Sequence, residues 1–239
     1  MSVGKRMVMN TNARRYLLPI VMFLASLLSG GCVSSKPVGD QKADLTSRAG
    51  AGPAKTFVYE CGDDNTFTLR VEGETAWLFL PQGSKRLPSV PSGSGAKFSD
   101  GSATYWSKGE EALLQLNGKT YRGCVNNRRM AIWEDAKLRG ADFRAVGNEP
   151  GWYLEISEES RLLFVDNYGQ DRHEFVLSGP SVDTVSRAAR YQVQGDAHDL
   201  TLTLEGRPCT DTMSGESFET TVTLVFDGRR LPGCGRALH

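Results

Sequence analysis

Ala112–Cys124 reads ALLQLNGKTYRGC. Asn117-Gly118 falls between Leu116 and Thr120, and these two residue types tolerate the positive φ that a two-residue hairpin turn demands. The stretch therefore predicts two antiparallel strands joined tightly at Asn117-Gly118. Working back along the chain, FVYEC (57–61), FTLRVEG (67–73), TAWLFLPQG (75–83) and ATYWSKG (103–109) are short apolar or aromatic runs bounded by turn residues. Phe67-Thr68-Leu69-Arg70-Val71 alternates apolar with polar, the period of a half-buried strand, and Leu113–Leu116 does so less cleanly. No convincing helical stretch interrupts them. The expectation is an all-β fold, a small antiparallel barrel or sandwich.

Within this region Ser94–Ala112, SGAKFSDGSATYWSKGEEA, reads as a display. Ser94-Gly95 and Ser99-Asp100-Gly101 carry turn chemistry, Ala103–Ser107 has the aromatic and hydroxyl residues that suit a strand, and Lys108-Gly109 ends it. Tyr105 and Trp106 must point to opposite faces, so one belongs to the core, and Trp106 shares its parity with Lys108.

SGAKF (Ser94–Phe98) is similar to the SGxxY motif of the membrane-bound inhibitors of c-type lysozyme, the MliC family. YWSKGEEA (Tyr105–Ala112) matches that family's YxxKGxxA motif at every fixed position. The resemblance runs from about Phe57 to Cys124. Phe98 stands where the family has tyrosine, so any hydrogen bond made by that phenol is absent. The resemblance implies a small β-barrel that binds c-type lysozyme through Ser94, Gly95, Phe98, Tyr105, Lys108 and Gly109. It implies a binding module with no catalysis of its own and no cofactor.

Lysozymes use a protonated carboxylic acid beside an ionised carboxylate. An ammonium in such a cleft favours the charged form of both and removes the proton the acid must donate. The resemblance implies that part for Lys108, with Ser94 as a second probe into the cleft whose hydroxyl can donate or accept. Gly95 and Gly109 let the backbone approach without a Cβ.

The chain has 239 residues, with 28 Lys and Arg against 28 Asp and Glu. A nucleic-acid binder shows a basic excess, so that class is disfavoured. From Ala141 onward acidic residues outnumber basic ones and Lys is absent. His173, His198 and His239 are scattered without metal-ligand spacing, so no metal is expected. Ser214 has no nucleophile-elbow context, and no glycine-rich loop opens a helix to take a phosphate. Glu149 and Asp211 are the residues a remote hydrolase reading of the second half would use.

Lys5, Arg6, Arg14 and Arg15 precede an apolar run, Tyr16–Leu28, too short to span a bilayer and typical of a signal-peptide core. Leu28-Ser29-Gly30-Gly31-Cys32 resembles a bacterial lipobox, although Ser29 replaces the usual leucine. The expectation is a signal peptide at 1–31, lipid on Cys32 as the membrane anchor, and an outer-membrane lipoprotein facing the periplasm. Residues 32–55, rich in Ser, Gly, Pro and Lys, read as a flexible tether.

The domain limits follow as 56–127 for the inhibitor-like segment, 128–140 for a linker and 141–239 for a second β-rich domain. Strands are expected at Trp152–Ile156, Arg161–Val165, His173–Leu177, Arg190–Gln194, Leu200–Leu204, Thr220–Phe226 and Arg229–Leu231, the last two joined by Asp227-Gly228. Five cysteines then divide as one for lipid and two bonds, Cys61–Cys124 and Cys209–Cys234, in an oxidising compartment. Closing the first loop restricts the unfolded chain by about 4 kcal/mol. GNEPGW, PCTDTMSGESF and GCGRAL resemble an uncharacterised domain of bacterial envelope lipoproteins, which implies no activity. A structural lipoprotein that binds a cell-wall glycan or an envelope protein without inhibition is the alternative function class.

Overall fold

A computed structural model describes residues 53–62, 64–194 and 197–239. The signal peptide, the lipidation at Cys32 and the tether up to residue 52 lie outside the described residues.

The first eight strands are β1 (Lys55–Glu60), β2 (Thr66–Glu72), β3 (Thr75–Leu80), β4 (Gly83–Pro88), β5 (Ala96–Ser99), β6 (Ala103–Lys108), β7 (Glu111–Leu116) and β8 (Lys119–Asn126). They form one antiparallel sheet in the order β4-β3-β2-β1-β8-β7-β6-β5. The alternation in β2 and β3 sends Phe67, Leu69, Ala76 and Leu78 inward, where they meet Tyr59, Leu87, Phe98, Tyr105 and Leu114. The sheet nearly closes on itself. Ser89 bridges to Phe98, and Lys85 reaches Asp100 at 3.2 Å, so the two edge strands β4 and β5 cover each other. Eight strands leave an interior that side chains can just fill.

Inside it the Tyr59 and Tyr105 hydroxyls hydrogen-bond at 2.8 Å. Burial pushes both phenols above their ordinary pKa, and the neighbouring Tyr105 raises Tyr59 further. Both therefore stay neutral and available to bond.

Asn117 and Gly118 take φ of 52° and 78°, and Asp227 and Gly228 take 48° and 79°. These are the signs a type I′ hairpin requires, as expected from both dipeptides. Cys61–Cys124 and Cys209–Cys234 are disulfide-bonded. GSKRLP and AKFS, not anticipated as strands, become β4 and β5. Only Leu87 and Phe98 in them are buried, so cross-strand pairing rather than pattern decides their conformation.

Residues 128–140, expected as a plain linker, contain helix α1 (Arg128–Leu138), capped by the Asn127 side chain, which accepts from the Met130 N–H at 3.1 Å. Its apolar residues do not keep one face, because Ala131, Trp133 and Ala136 are buried while Met130 and Ile132 are exposed. Tertiary packing holds it instead.

The remaining strands are β9 (Ala141–Asn148), β10 (Gly151–Ser157), β11 (Arg161–Asp166), β12 (Asp171–Val176), β13 (Ser181–Asp183), β14 (Ala188–Gln194), β15 (Asp199–Glu205), β16 (Cys209–Thr210), β17 (Ser217–Phe218), β18 (Thr220–Phe226) and β19 (Arg229–Ala237). Nine of them form a second antiparallel sheet, β12-β11-β10-β9-β19-β18-β15-β14-β13, while β16 and β17 pair separately. Its core holds Trp152, Leu154, Ile156, Phe164, Leu202, Leu224 and Phe226. Each expected strand falls on an observed one, with β19 running well beyond Leu231.

Helix α1 joins the two sheets. Trp133 packs on Phe218 at 5.2 Å, with the Arg236 guanidinium 4.4 Å over its ring. On the other side Asp135 accepts from the Thr56 hydroxyl at 2.7 Å, from Arg70 at 2.8 Å and from Arg139 at 2.9 Å. Arg139 then grips the buried Glu155 carboxylate with two bonds of 2.9 Å, and Arg144 contacts the same carboxylate. The result is a chain of alternating charge from β2 through the helix to β10.

Two predictions follow from these contacts. Tyr59→Phe and Tyr105→Phe each leave one buried hydroxyl without its phenol partner and should each lower unfolding free energy by about 1–2 kcal/mol, while the double variant costs less than the sum. Urea denaturation of the four proteins checks it. Burial opposes ionisation of Asp135, but the Thr56 hydroxyl, Arg139 and Arg70 outweigh it and hold the carboxyl below its usual range. A depressed folded pKa contributes stability above the unfolded value of about 3.9, and that contribution is lost as pH falls through the folded value. Asp135→Asn should therefore lower the melting temperature at pH 7 and flatten its decline below about pH 4.

Candidate functional site

The site is built on the β5–β6 hairpin. Ala96 pairs with Ser107, Lys97 with Trp106, Phe98 with Tyr105 and Ser99 with Thr104. The turn between them is tied by Asp100, which accepts from the Ala103 N–H at 2.7 Å and from the Ser102 N–H and hydroxyl at 2.8 Å each. These backbone and hydroxyl donors, with Lys85, hold the Asp100 carboxyl far below its ordinary pKa. The turn is thus fixed at neutral pH.

At the other end, β6 passes into β7 through Gly109-Glu110, with Lys108 opposite Glu111. Gly109 takes φ of 64°, the first central position of a type II′ turn. Glu110 is drawn away by Arg128 and by the Asn126 side chain at 3.3 Å, and the Arg128 bond chiefly lowers its pKa. Among the described residues the Lys108 ammonium makes no ion pair, and the Ser94 hydroxyl makes no hydrogen bond. Both are exposed. A charge and a hydroxyl, both free to bond, thus stand at one end of the barrel.

Gly95 explains how they come together. Its φ is 70°, and a Cβ there would lie 2.0 Å from the Ser107 carbonyl oxygen and 3.4 Å from the Lys108 Cα. The backbone before β5 lies directly on the backbone leading to Lys108. Gly109, in contrast, has open space where a Cβ would go, so only its backbone conformation calls for glycine. The segment before Gly95 is tied as well. The Val90 N–H donates to the Lys97 carbonyl at 2.9 Å, and the Ser92 hydroxyl donates to the Gly95 carbonyl at 2.9 Å.

The expected site residues divide. Ser94, Gly95, Lys108 and Gly109 are exposed and adjacent. Phe98 and Tyr105, expected as contact residues, are 4% and 1% exposed and lie in the core, with ring centroids 6.1 Å apart. Their place is beneath the site, because strand parity turns them inward while Trp106, 41% exposed, turns out. Strand parity alone does not decide between core and surface for Trp106, and neither motif marks Lys97, which lies over its ring at 5.6 Å.

In the second sheet, two histidines that look scattered in sequence meet. His173 and His198 have ring centroids 4.8 Å apart, and His198 Nδ1 lies 2.8 Å from Asp227. Among the described residues no group of three His, Cys, Asp or Glu can hold a metal. Ser214 and Asn148 both bond Asp211 within a loop beside the Cys209–Cys234 bond.

The first sheet is a small, nearly closed antiparallel barrel that presents an exposed loop and lysine at one end, the architecture of a small barrel domain. A family description, membrane-bound lysozyme-inhibitor of c-type lysozyme, matches residues 59–122. A protein of Yersinia enterocolitica, serotype O:8 / biotype 1B, named membrane-bound lysozyme inhibitor of C-type lysozyme, is 30% identical over 90 residues, covering 37% of this chain and 74% of the relative. The chain belongs to the family of membrane-bound lysozyme inhibitors of c-type lysozyme. The family match lies wholly within the first sheet. No solved structure matches the chain.

The contrast between the two glycines is testable. Gly109→Ala should cost about 1 kcal/mol of stability through backbone strain alone. Gly95→Ala must also move the Ser107 carbonyl, so its denaturation midpoint should fall at least about twice as far.

Proposed function

We propose that the first sheet binds c-type lysozymes and inhibits them by placing the Lys108 ammonium and the Ser94 hydroxyl in the active-site cleft. The single observation that carries this reading is the unpaired, exposed Lys108 beside an exposed Ser94, on a barrel that belongs to this family. An ammonium with no ion-pair partner among the described residues is free to meet the partner's carboxylates. In a lysozyme cleft it stabilises both carboxyls as anions and removes the general acid's proton. The Ser94 hydroxyl bonds a carboxyl in either protonation state. Gly95 and Gly109 keep the approach to the cleft free of side chains, while Phe98 and Tyr105 support the loop from inside.

In this reading the protein is a lipid-anchored component of a bacterial envelope, held through Cys32, with the residues between Cys32 and β1 as its tether. Residues 56–127 form the inhibitor domain. Residues 141–239 form a second β-rich domain, fixed to the first through α1 by the Asp135 and Trp133 contacts.

The test is the rate of cell-wall lysis by a c-type lysozyme with increasing amounts of the purified full-length chain. Near-equimolar inhibition is expected, and Lys108→Ala and Ser94→Ala should each weaken it by about 1–2 kcal/mol, roughly 5- to 30-fold in affinity. Lysis that proceeds unchanged in the presence of protein with both disulfides formed would sink the proposal. Binding to cell-wall sacculi in that case would support the structural-lipoprotein alternative.

A further inference from the structure

We infer that Trp106 is a positioning residue for Ser94, holding the loop before β5 in its binding conformation before any partner arrives. This rests on the inhibitor reading above and adds to it the reason Ser94 is presented at all.

The last β5–β6 pair is Ala96 with Ser107, so Ser94 lies beyond the ladder and its backbone carbonyl has no strand partner. The Trp106 indole N–H supplies one, donating to the Ser94 carbonyl at 2.8 Å. That bond crosses from the strand to the loop on the outer face. Trp106 points outward and keeps 41% of its surface exposed. Its indole bonds the loop residue whose hydroxyl makes no hydrogen bond among the described residues.

Lys97, opposite Trp106 in register, lies 5.6 Å over the same ring. The Gly95 carbonyl is taken by the Ser92 hydroxyl, and the Gly95 backbone is pressed on Ser107. The loop is therefore tied at its carbonyls and at its glycine, while the Ser94 side chain points free. A loop ordered in advance loses less conformational entropy on association, and affinity rises by that difference without a new contact.

The experiment uses the full-length chain with Trp106→Phe, which keeps an aromatic ring but removes the N–H donor. Lysozyme affinity should fall about tenfold, with a melting temperature close to wild type. Because Trp106 acts through Ser94, Trp106→Phe combined with Ser94→Ala should be little worse than Ser94→Ala alone, whereas combination with Lys108→Ala should be additive.

A readout independent of lysozyme is hydrogen exchange in the free protein. The wild-type Trp106 indole proton should be protected, and the amides of Gly93–Ala96 should exchange faster in Trp106→Phe while those of β2 and β3 do not change. An unprotected indole proton, unchanged loop amides, or a full additive loss with Ser94→Ala each overturns the positioning role. If Trp106→Phe inhibits as wild type does while Ser94→Ala does not, this inference fails and the inhibitor reading stands. A wild-type chain that leaves lysozyme active removes both.

Discussion

The hydrogen bond between Tyr59 and Tyr105 is the constraint on which the first sheet depends. It joins β1 to β6, strands separated by β8 and β7 in the sheet order, and so spans the barrel interior rather than following the ladder. Two buried hydroxyls without partners would each carry a desolvation penalty, and pairing them removes it only in one register. That register turns Tyr105 inward and therefore Trp106 and Lys108 outward. The outward face of the strand is a consequence of what its inner face must satisfy. Phe98, where the family motif has tyrosine, packs beside Tyr105 in this same interior, so the departure changes the core and leaves the exposed loop intact.

The second sheet is not a separate bead on the chain. Helix α1 packs Trp133 against Phe218 of the β16–β17 arm and under Arg236 of β19 in the second sheet, and makes a charged contact with the first sheet through Asp135, Thr56 and Arg70. The buried Glu155 side chain lies at the centre of this arrangement. A carboxylate so enclosed needs compensation by opposite charge and hydrogen bonds, and Arg139 and Arg144 supply both. Arg139 contacts Asp135 and Glu155 together, so the contacts between helix and strand on either side of it are coupled.

The three motifs of the second half converge. Gly147 and Gly233 lie against Trp152, where a Cβ would come within 2.1 Å of the indole nitrogen and 2.6 Å of the ring. Cys209 bonds Cys234, Asn148 bonds Asp211, Arg236 pairs with Glu216 at 2.9 Å, and Phe218 meets the helix. Packing accounts for these identities: they fix the β16–β17 arm to the outer face of β9 and β19.

Much of this was legible in sequence because it depends on neighbours along the chain. Asn117-Gly118 and Asp227-Gly228 fix hairpins through backbone sterics alone, alternation marks β2, and Ser94 and Lys108 are found by the spacing of two short motifs. What sequence left open depends on residues far apart. The polar strand GSKRLP forms because β3 offers it a ladder, and α1 forms without a clean apolar face because Trp133 and Asp135 find partners in both sheets. The choice between Tyr105 and Trp106 as the core residue was settled by Tyr59, 46 positions away. Local stereochemistry determined where this chain turns and which residues it offers. Only tertiary packing decided which of them face solvent, because that requires knowing what the opposite face of each strand has to bury.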